Sequence, residues 1–113
     1  MAKLETVLYG DFDEILGKLE KQILNGNMSA SLEDASDFHA GDARCSVRVF
    51  ERYSMAGGNR VSMNVTLFQN GDKIDLSAIT SGGSQAVLWK LNTFGEEAFL
   101  DQIRSLVEDG LKR

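Results

Sequence analysis

The chain of 113 residues has no proline and only one cysteine, one histidine and one tryptophan. A lone Cys45 excludes an internal disulfide and a zinc site built from cysteines, and its alternating surroundings predict a buried, inert thiol. No apolar run approaches the ~20 residues that a membrane-spanning helix needs, and the N-terminus lacks the basic start and apolar run of a signal peptide. We therefore expect a cytoplasmic protein that makes no membrane contact.

Basic residues are also in short supply, with 12 Lys and Arg against 17 Asp and Glu and a net charge of −5 at pH 7. Because phosphate contacts need a basic footprint, nucleic acid is not an expected partner. A hydrophobic content of 42% with 26% charged residues is ordinary for a globular protein. At this length we expect residues 1–113 to form a single domain.

Residues 61–80 alternate apolar and polar side chains on both sides of Asn70-Gly71. An Asn-Gly pair between such segments is a strong hairpin signal, because both central residues of a type I′ turn adopt positive φ. The pattern predicts two antiparallel strands with one apolar face, which the rest of the chain must cover. With Asn70 and Gly71 as the turn, the predicted cross-strand pairs are Leu67 with Ile74, Val65 with Leu76, and Met63 with Ala78.

The first part of the chain predicts a strand followed by a helix. Residues 3–9 alternate weakly and include β-branched and aromatic side chains, which favour a strand. Asp11 with Glu14 has the form of a capping box, and apolar residues then recur at helical spacing. Asn25-Gly26 is a typical helix end, so we expect the helix to span residues 12–24.

The middle of the chain predicts a short strand near 28–32, an exposed loop at 33–43 and another strand at 44–53. The loop is predicted because this acidic segment loses all periodicity. The strand that follows divides into a face expected to lie in the core, with Cys45, Val47 and Val49, and an opposite face with Arg44, Ser46, Arg48, Phe50 and Arg52.

The last part of the chain predicts a loop, a short extended segment and a second helix. Residues 86–91 favour a short edge strand or an extended lead-in. Thr93 with Glu96 forms a second capping box, and Gly110 is placed to end the helix. The loop residues, which are also candidate binding residues for a phosphate or a ligand, are Ser81, Gly82, Gly83 and Ser84.

These elements predict an α+β fold in the order β-α-β-β-β-β-α, with a curved antiparallel sheet of about five strands. Two helices on one face would leave the other face of the sheet open. This order resembles the TATA-box-binding-protein-like arrangement, with a small helix-grip fold as the alternative. The whole chain also resembles an uncharacterised family of short bacterial proteins of unknown function, through Ser81-Gly82-Gly83-Ser84 and Asn92-Thr93-Phe94-Gly95-Glu96. These resemblances imply a fold and transfer no function.

Basic and aromatic side chains share the predicted open face of the sheet. Asp75 is the one acidic residue that points to this side from the strand at 44–53 and the two strands of the hairpin. One interpretation is a solvated face with cross-strand ion pairs. The other is a binding surface for an acidic or planar ligand, including an acidic protein partner, or the interface of a homodimer. The candidate binding residues are Arg44, Arg48, Phe50, Arg52, Arg60, Phe68 and Lys73.

No catalytic constellation is visible in the sequence. His39 lies among acidic residues, but the spacing matches neither a zinc nor a calcium motif. We therefore predict no catalytic residues, no metal and no cofactor, and a non-enzymatic binding or self-association domain. The alternative is a small-ligand pocket between sheet and helices, gated by residues 81–85 and lined by Met63, Ala78 and Cys45.

Overall fold

The computed structural model describes residues 2–25, 30–54, 59–82, 100, 103 and 104. Five strands form one sheet in the spatial order β1-β5-β4-β3-β2, and every neighbouring pair is antiparallel. The predicted α+β class and the five-stranded antiparallel sheet are therefore confirmed. The elements are β1 (Ala2–Tyr9), α1 (Phe12–Asn25), β2 (Ser31–Ala40), β3 (Ala43–Ser54), β4 (Asn59–Asn70) and β5 (Lys73–Gly82).

Helix α1 begins directly after the predicted capping residue, Asp11. The backbone N–H of Glu14 donates to Asp11 Oδ2 at 2.9 Å, and that of Ile15 donates to the Asp11 carbonyl at 3.0 Å. The first bond satisfies an amide that has no partner within the helix, and the second is the first backbone bond of the helix itself. The apolar stripe that packs on the sheet consists of Phe12, Ile15, Leu16, Leu19 and Ile23, all buried.

The β4–β5 hairpin has the predicted faces but a different register. Asn70 pairs with Lys73, so the two-residue turn is Gly71-Asp72, with Gly71 at φ 85°. The predicted pairing is therefore wrong by two residues, and Leu76 lies opposite Leu67. A slip of two residues leaves every side chain on its predicted face, because side chains alternate with a period of two.

The predicted acidic loop at 33–43 is wrong, since most of it belongs to β2. This strand pairs with β3 through the tight turn at Gly41-Asp42, and its register shifts between Leu32 and Asp34. All ten residues of β2 are exposed. An edge strand with both faces in solvent has no need for alternating hydrophobicity, so its sequence carried no period.

The two faces of β3 are also opposite to the prediction. Ser46, Arg48 and Phe50 are buried, with Phe50 only 1% exposed, and they lie across from core residues of β4. The three residues expected in the core, Cys45, Val47 and Val49, are instead only partly buried on the far side. Ion pairs between the arginines and acidic groups of α1 and β2 make the inward placement of charged side chains tolerable.

The C-terminal predictions fall mostly outside the described residues. Leu100 and Ile103 are fully buried in the core cluster, but the remainder of the predicted helix and the segment at 86–91 are not described. Ser81 and Gly82 belong to β5 and pair with β4, so they are not loop residues. Across the described part of the chain, no helix has the length and apolar character needed to cross a membrane.

Candidate protein-interaction face

The face of the sheet that points away from α1, here called the open face, can be read in rows across the strands. Directly opposite residues in antiparallel strands point to the same side. One such row crosses all five strands and consists of Val7, Asp75, Phe68, Cys45 and Phe38. The next open-face rows consist of Glu5, Ser77, Thr66, Val47 and Ser36, and then of Lys3, Ile79, Asn64, Val49 and Asp34.

Exposed apolar side chains are concentrated on the open face. Among the described residues, six large hydrophobic side chains are exposed, and five of them lie there. Leu32, which pairs with buried Phe50, is the sixth and lies on the helix side. A face that collects exposed apolar side chains is a candidate interaction surface. The five are Tyr9 at 54%, Phe38 at 60%, Tyr53 at 55%, Phe68 at 41% and Ile79 at 38% exposure.

The charges on the open face pair with one another. Lys3 Nζ lies 3.9 Å from a Glu5 carboxylate oxygen, and Lys73 Nζ lies 3.8 Å from one of Asp75. Such exposed pairs add little stability, but they leave no field of one sign. Apart from Glu33, which lies at the register shift of β2, the described strand residues place three basic and four acidic side chains on the open face, a net of −1. They are Lys3, Arg60 and Lys73, and Glu5, Asp34, Glu51 and Asp75.

A shallow depression of about 460 Å³ lies on the β1 side of the open face. Its lining combines apolar side chains, Val7 and Phe68, with the carboxylates of Glu5 and Asp75. An aromatic ring suits such a site, because its face packs on apolar groups and its positive edge can meet a carboxylate. The open-face residues that line it are Glu5, Val7, Thr66, Phe68, Asp75 and Ser77.

Sequence reasoning missed Phe38, Tyr9 and Tyr53 as surface candidates. Phe38 was missed because β2 was read as a loop. The available signal was Gly41-Asp42, a Gly-Asp pair between two strands that favours a two-residue hairpin turn. The same type of turn, Gly71-Asp72, joins β4 and β5.

The predicted binding residues divide between the two faces. Arg60, Phe68 and Lys73 lie on the open face, as predicted. The prediction that the other four share this face is wrong, because β3 is inverted relative to the expected orientation. The residues on the helix side are Arg44, Arg48, Phe50 and Arg52.

Arg44 joins the start of α1 to β3. Its Nη2 donates to Asp13 Oδ1 at 2.8 Å and its Nη1 to Oδ2 at 3.3 Å, while the guanidinium stacks 4.0 Å from the Phe12 ring centroid. The hydrogen bond and charge of Arg44 lower the pKa of Asp13. A bidentate pair with a stacked guanidinium uses properties that lysine lacks, so this arginine acts as a structural clamp.

Arg48 makes a second connection, in the middle of β3. Its Nε donates to Glu20 Oε2 of α1 at 2.7 Å, and its guanidinium contacts Asp37 of β2 at 3.1 Å. The pKa of Asp37 is lowered by a hydrogen bond from Ser46, at 2.6 Å, and then by Arg48. The guanidinium also reaches the Val47 carbonyl at 3.0 Å. Arg48 is therefore engaged within the fold on the helix side of the sheet.

The remaining candidate sites gain no geometric support. His39 is exposed on β2 opposite Arg44, and within the described ranges no three His, Cys, Asp or Glu side chains are grouped to hold a metal ion. Met63 and Ala78 are fully buried in the core, whereas Cys45 lies on the open face. The three residues predicted to line a pocket beneath the helices therefore do not share one side of the sheet.

Comparison with known proteins matches the chain to a family whose function is unknown. The model of a family described as a family of unknown function (DUF6054) matches residues 1–110. No curated protein matches the chain, and no solved structure matches it. A function for the chain has to come from its own geometry.

Proposed function

We propose that this chain, which belongs to the family of unknown function DUF6054, is a non-enzymatic interaction domain that forms a homodimer through the open face of its sheet. The observation that carries the proposal is the concentration of exposed aromatic and aliphatic side chains on that face. Burying them against an equivalent surface removes apolar area from water, which is the main driving force of association.

The charge balance of the open face favours a second copy over an acidic partner. With the arginines of β3 on the helix side, the open face is nearly neutral and its lysines are already paired with carboxylates. A nearly neutral apolar surface meets its own copy without strong repulsion, whereas an acidic protein or a nucleic acid needs an excess of positive charge.

The size of the face is sufficient for a stable dimer. Each strand residue advances ~3.3 Å and neighbouring strands lie ~4.8 Å apart, so five strands with ten paired positions present roughly 800 Å². A standard interface buries about the same area on each partner. The proposed surface therefore falls within the range of specific protein complexes.

We further propose a TATA-box-binding-protein-like arrangement, with a small helix-grip fold as the alternative, and a second helix on the α1 side of the sheet. The element order and the burial of Leu100 and Ile103 support this arrangement. The resemblance to short bacterial proteins noted from the sequence supports a bacterial source, and we propose a cytoplasmic location.

Sedimentation equilibrium over a range of concentrations tests the dimer. Phe68→Ser should raise the dissociation constant about tenfold or more, because it removes the aromatic side chain at the centre of the face. Leu32→Ser is a matched control, since both residues are 41% exposed but Leu32 lies on the helix side. Circular dichroism verifies that both variants fold. A wild-type protein that stays monomeric at every concentration would refute the proposal.

A further inference from the structure

We infer that the homodimer forms by insertion of Phe38 from each copy into the depression of the other, about a two-fold axis parallel to β4. The inference rests on the proposed self-association and specifies its geometry. It follows from the positions of an exposed aromatic side chain and a depression in one row of the open face.

Phe38 and the depression lie at opposite ends of the same row. Phe38 is on edge strand β2 and is 60% exposed, the most of any large hydrophobic side chain among the described residues. Val7, at the other end of that row, lines the depression with Phe68, which lies at the centre on β4. Since β4 is the middle strand, Phe38 and Val7 lie on either side of it at equal strand distance, and the depression extends from Val7 toward β4.

A two-fold axis parallel to β4 brings each protrusion over a depression. This rotation exchanges β1 with β2 and β5 with β3 between the copies, while each row keeps its level along the strands. Phe38 then lies over Val7 of the partner copy, and the two Phe68 rings meet near the axis, where aromatic pairs favour offset or edge-to-face contact. Two equal contacts form at once, as an isologous interface requires. An axis perpendicular to the strands would instead place β2 on β2, away from the depression.

The same rotation aligns opposite charges. In the row of Lys3 and Asp34, these residues occupy the two edge strands, so Lys3 of one copy lies over Asp34 of the other. Arg60 lies near the axis and faces its own copy, but its ion pair with Glu51 offsets the repulsion. Complementary charges of this kind determine orientation more than affinity.

Crosslinking through the β4–β5 turn tests the orientation. Asp72 is in an exposed turn next to the middle strand. In the inferred dimer, two copies of this turn lie one strand spacing apart laterally and one sheet spacing apart vertically, about 11 Å. In a Cys45→Ser background, Asp72→Cys should therefore crosslink with a bismaleimide of matching length. With the axis perpendicular to the strands, or with pairing of edge strands β1, the turns lie far apart. Lys21→Cys, on the exposed side of α1, controls for random collision.

Charge exchange tests the contact itself. Lys3→Glu and Asp34→Lys should each weaken the homodimer, because each places like charges across the interface twice. An equal mixture of the two variants should recover association, since the introduced glutamate then meets the introduced lysine and the native Asp34 meets the native Lys3. Phe38→Ala should raise the dissociation constant about tenfold or more and abolish the Asp72→Cys crosslink.

The outcomes separate the inference from the proposal on which it rests. A wild-type dimer without the Asp72→Cys crosslink, insensitive to Phe38→Ala and without recovery on mixing, would overturn the inferred orientation and leave self-association intact. A wild-type monomer at every concentration would overturn both. Crosslinking together with recovery on mixing would support the orientation.

Discussion

Arg48 Nε lies 2.7 Å from Glu20 Oε2, and this contact ties the central part of β3 to α1. The Arg48 side chain is only 11% exposed and that of Glu20 is 30% exposed, so water screens the pair less than it screens surface pairs. The contact explains why a charged residue can occupy the helix side of the sheet. Its cost of desolvation is offset by two carboxylates and backbone carbonyl acceptors.

Glu20→Gln should lower the free energy of unfolding by about 1–2 kcal/mol, because the charge-assisted hydrogen bond becomes a neutral one. Urea denaturation at pH 7 measures the change. Glu14→Gln, on the exposed side of the same helix, should change stability by about 0.5 kcal/mol or less. Equal losses in the two variants would show that the Arg48 contact contributes nothing specific.

Reversing the charge of Arg48 tests the same contact more severely. Arg48→Glu would place a third carboxylate beside Glu20 and Asp37. We expect a loss of about 3 kcal/mol or more, because the remaining charges are then partly buried without a counter-charge. This variant therefore disrupts folding and is unsuitable for testing an interface. A stable, folded Arg48→Glu protein would contradict the observed placement of β3.

The acid limb of the stability curve should depend on Asp13 and Asp37. Both carboxyl groups have a lowered pKa in the folded protein, through Arg44 for Asp13 and through Ser46 and Arg48 for Asp37. The contribution of these two groups to the free energy of unfolding is complete above the unfolded pKa of about 3.9. It is lost as the pH falls through the lower pKa of the folded state. The double variant Asp13→Asn with Asp37→Asn should show a shallower loss of urea midpoint between about pH 4 and pH 2. Parallel curves for wild type and variant would contradict this assignment.

Strong periodicity was sufficient to predict α1 and the buried face of the β4–β5 hairpin. The stripe that begins with Phe12 recurs at helical spacing, and Leu67 and Leu76 belong to strictly alternating segments. When an element is buried on one side, its own sequence carries a hydrophobic repeat. This repeat can be recognised without knowing which other elements pack against it. The turn was predicted one residue too early, because Asn70-Gly71 and Gly71-Asp72 are both acceptable hairpin pairs.

The orientation of β3 was not predictable from its own residues. Cys45, Val47 and Val49 form the more apolar side, so hydrophobicity alone places that side in the core. The observed orientation depends on partners distant in sequence, since Glu20 and Asp37 neutralise Arg48. A local pattern cannot report a charge that will be supplied by a helix 28 residues away. The same error transferred arginines to the open face and made it look basic.

Gly71→Val should destabilise the protein by about 1–3 kcal/mol, because a β-branched residue strongly disfavours the observed φ of 85°. Apart from Gly71 and its two chain neighbours, no atom lies within 4 Å of the position that a Cβ would occupy, so the cost comes from the backbone and not from a clash. Gly17→Ala is the control, since Gly17 lies within α1 and also has open space around it. It should gain about 0.5–1 kcal/mol through helix propensity. Equal melting temperatures for wild type and Gly71→Val would rule out the assigned turn.

Leu76→Ala should lower the free energy of unfolding by about 2–5 kcal/mol, through lost burial and the cavity that remains. Leu76 is 1% exposed and lies between Leu67 and Thr6 on the helix side of the sheet. Ile79→Ala on the same strand is the matched control, because Ile79 faces the open side and is 38% exposed. Urea denaturation is measured at a protein concentration low enough to keep both variants monomeric. The change in the free energy of unfolding is then separated from any change in dimer formation. The control should then lose clearly less than Leu76→Ala, since little apolar area is uncovered. A loss below about 1 kcal/mol at Leu76 would place that face in solvent and remove the distinction between covered and open faces on which the interface depends.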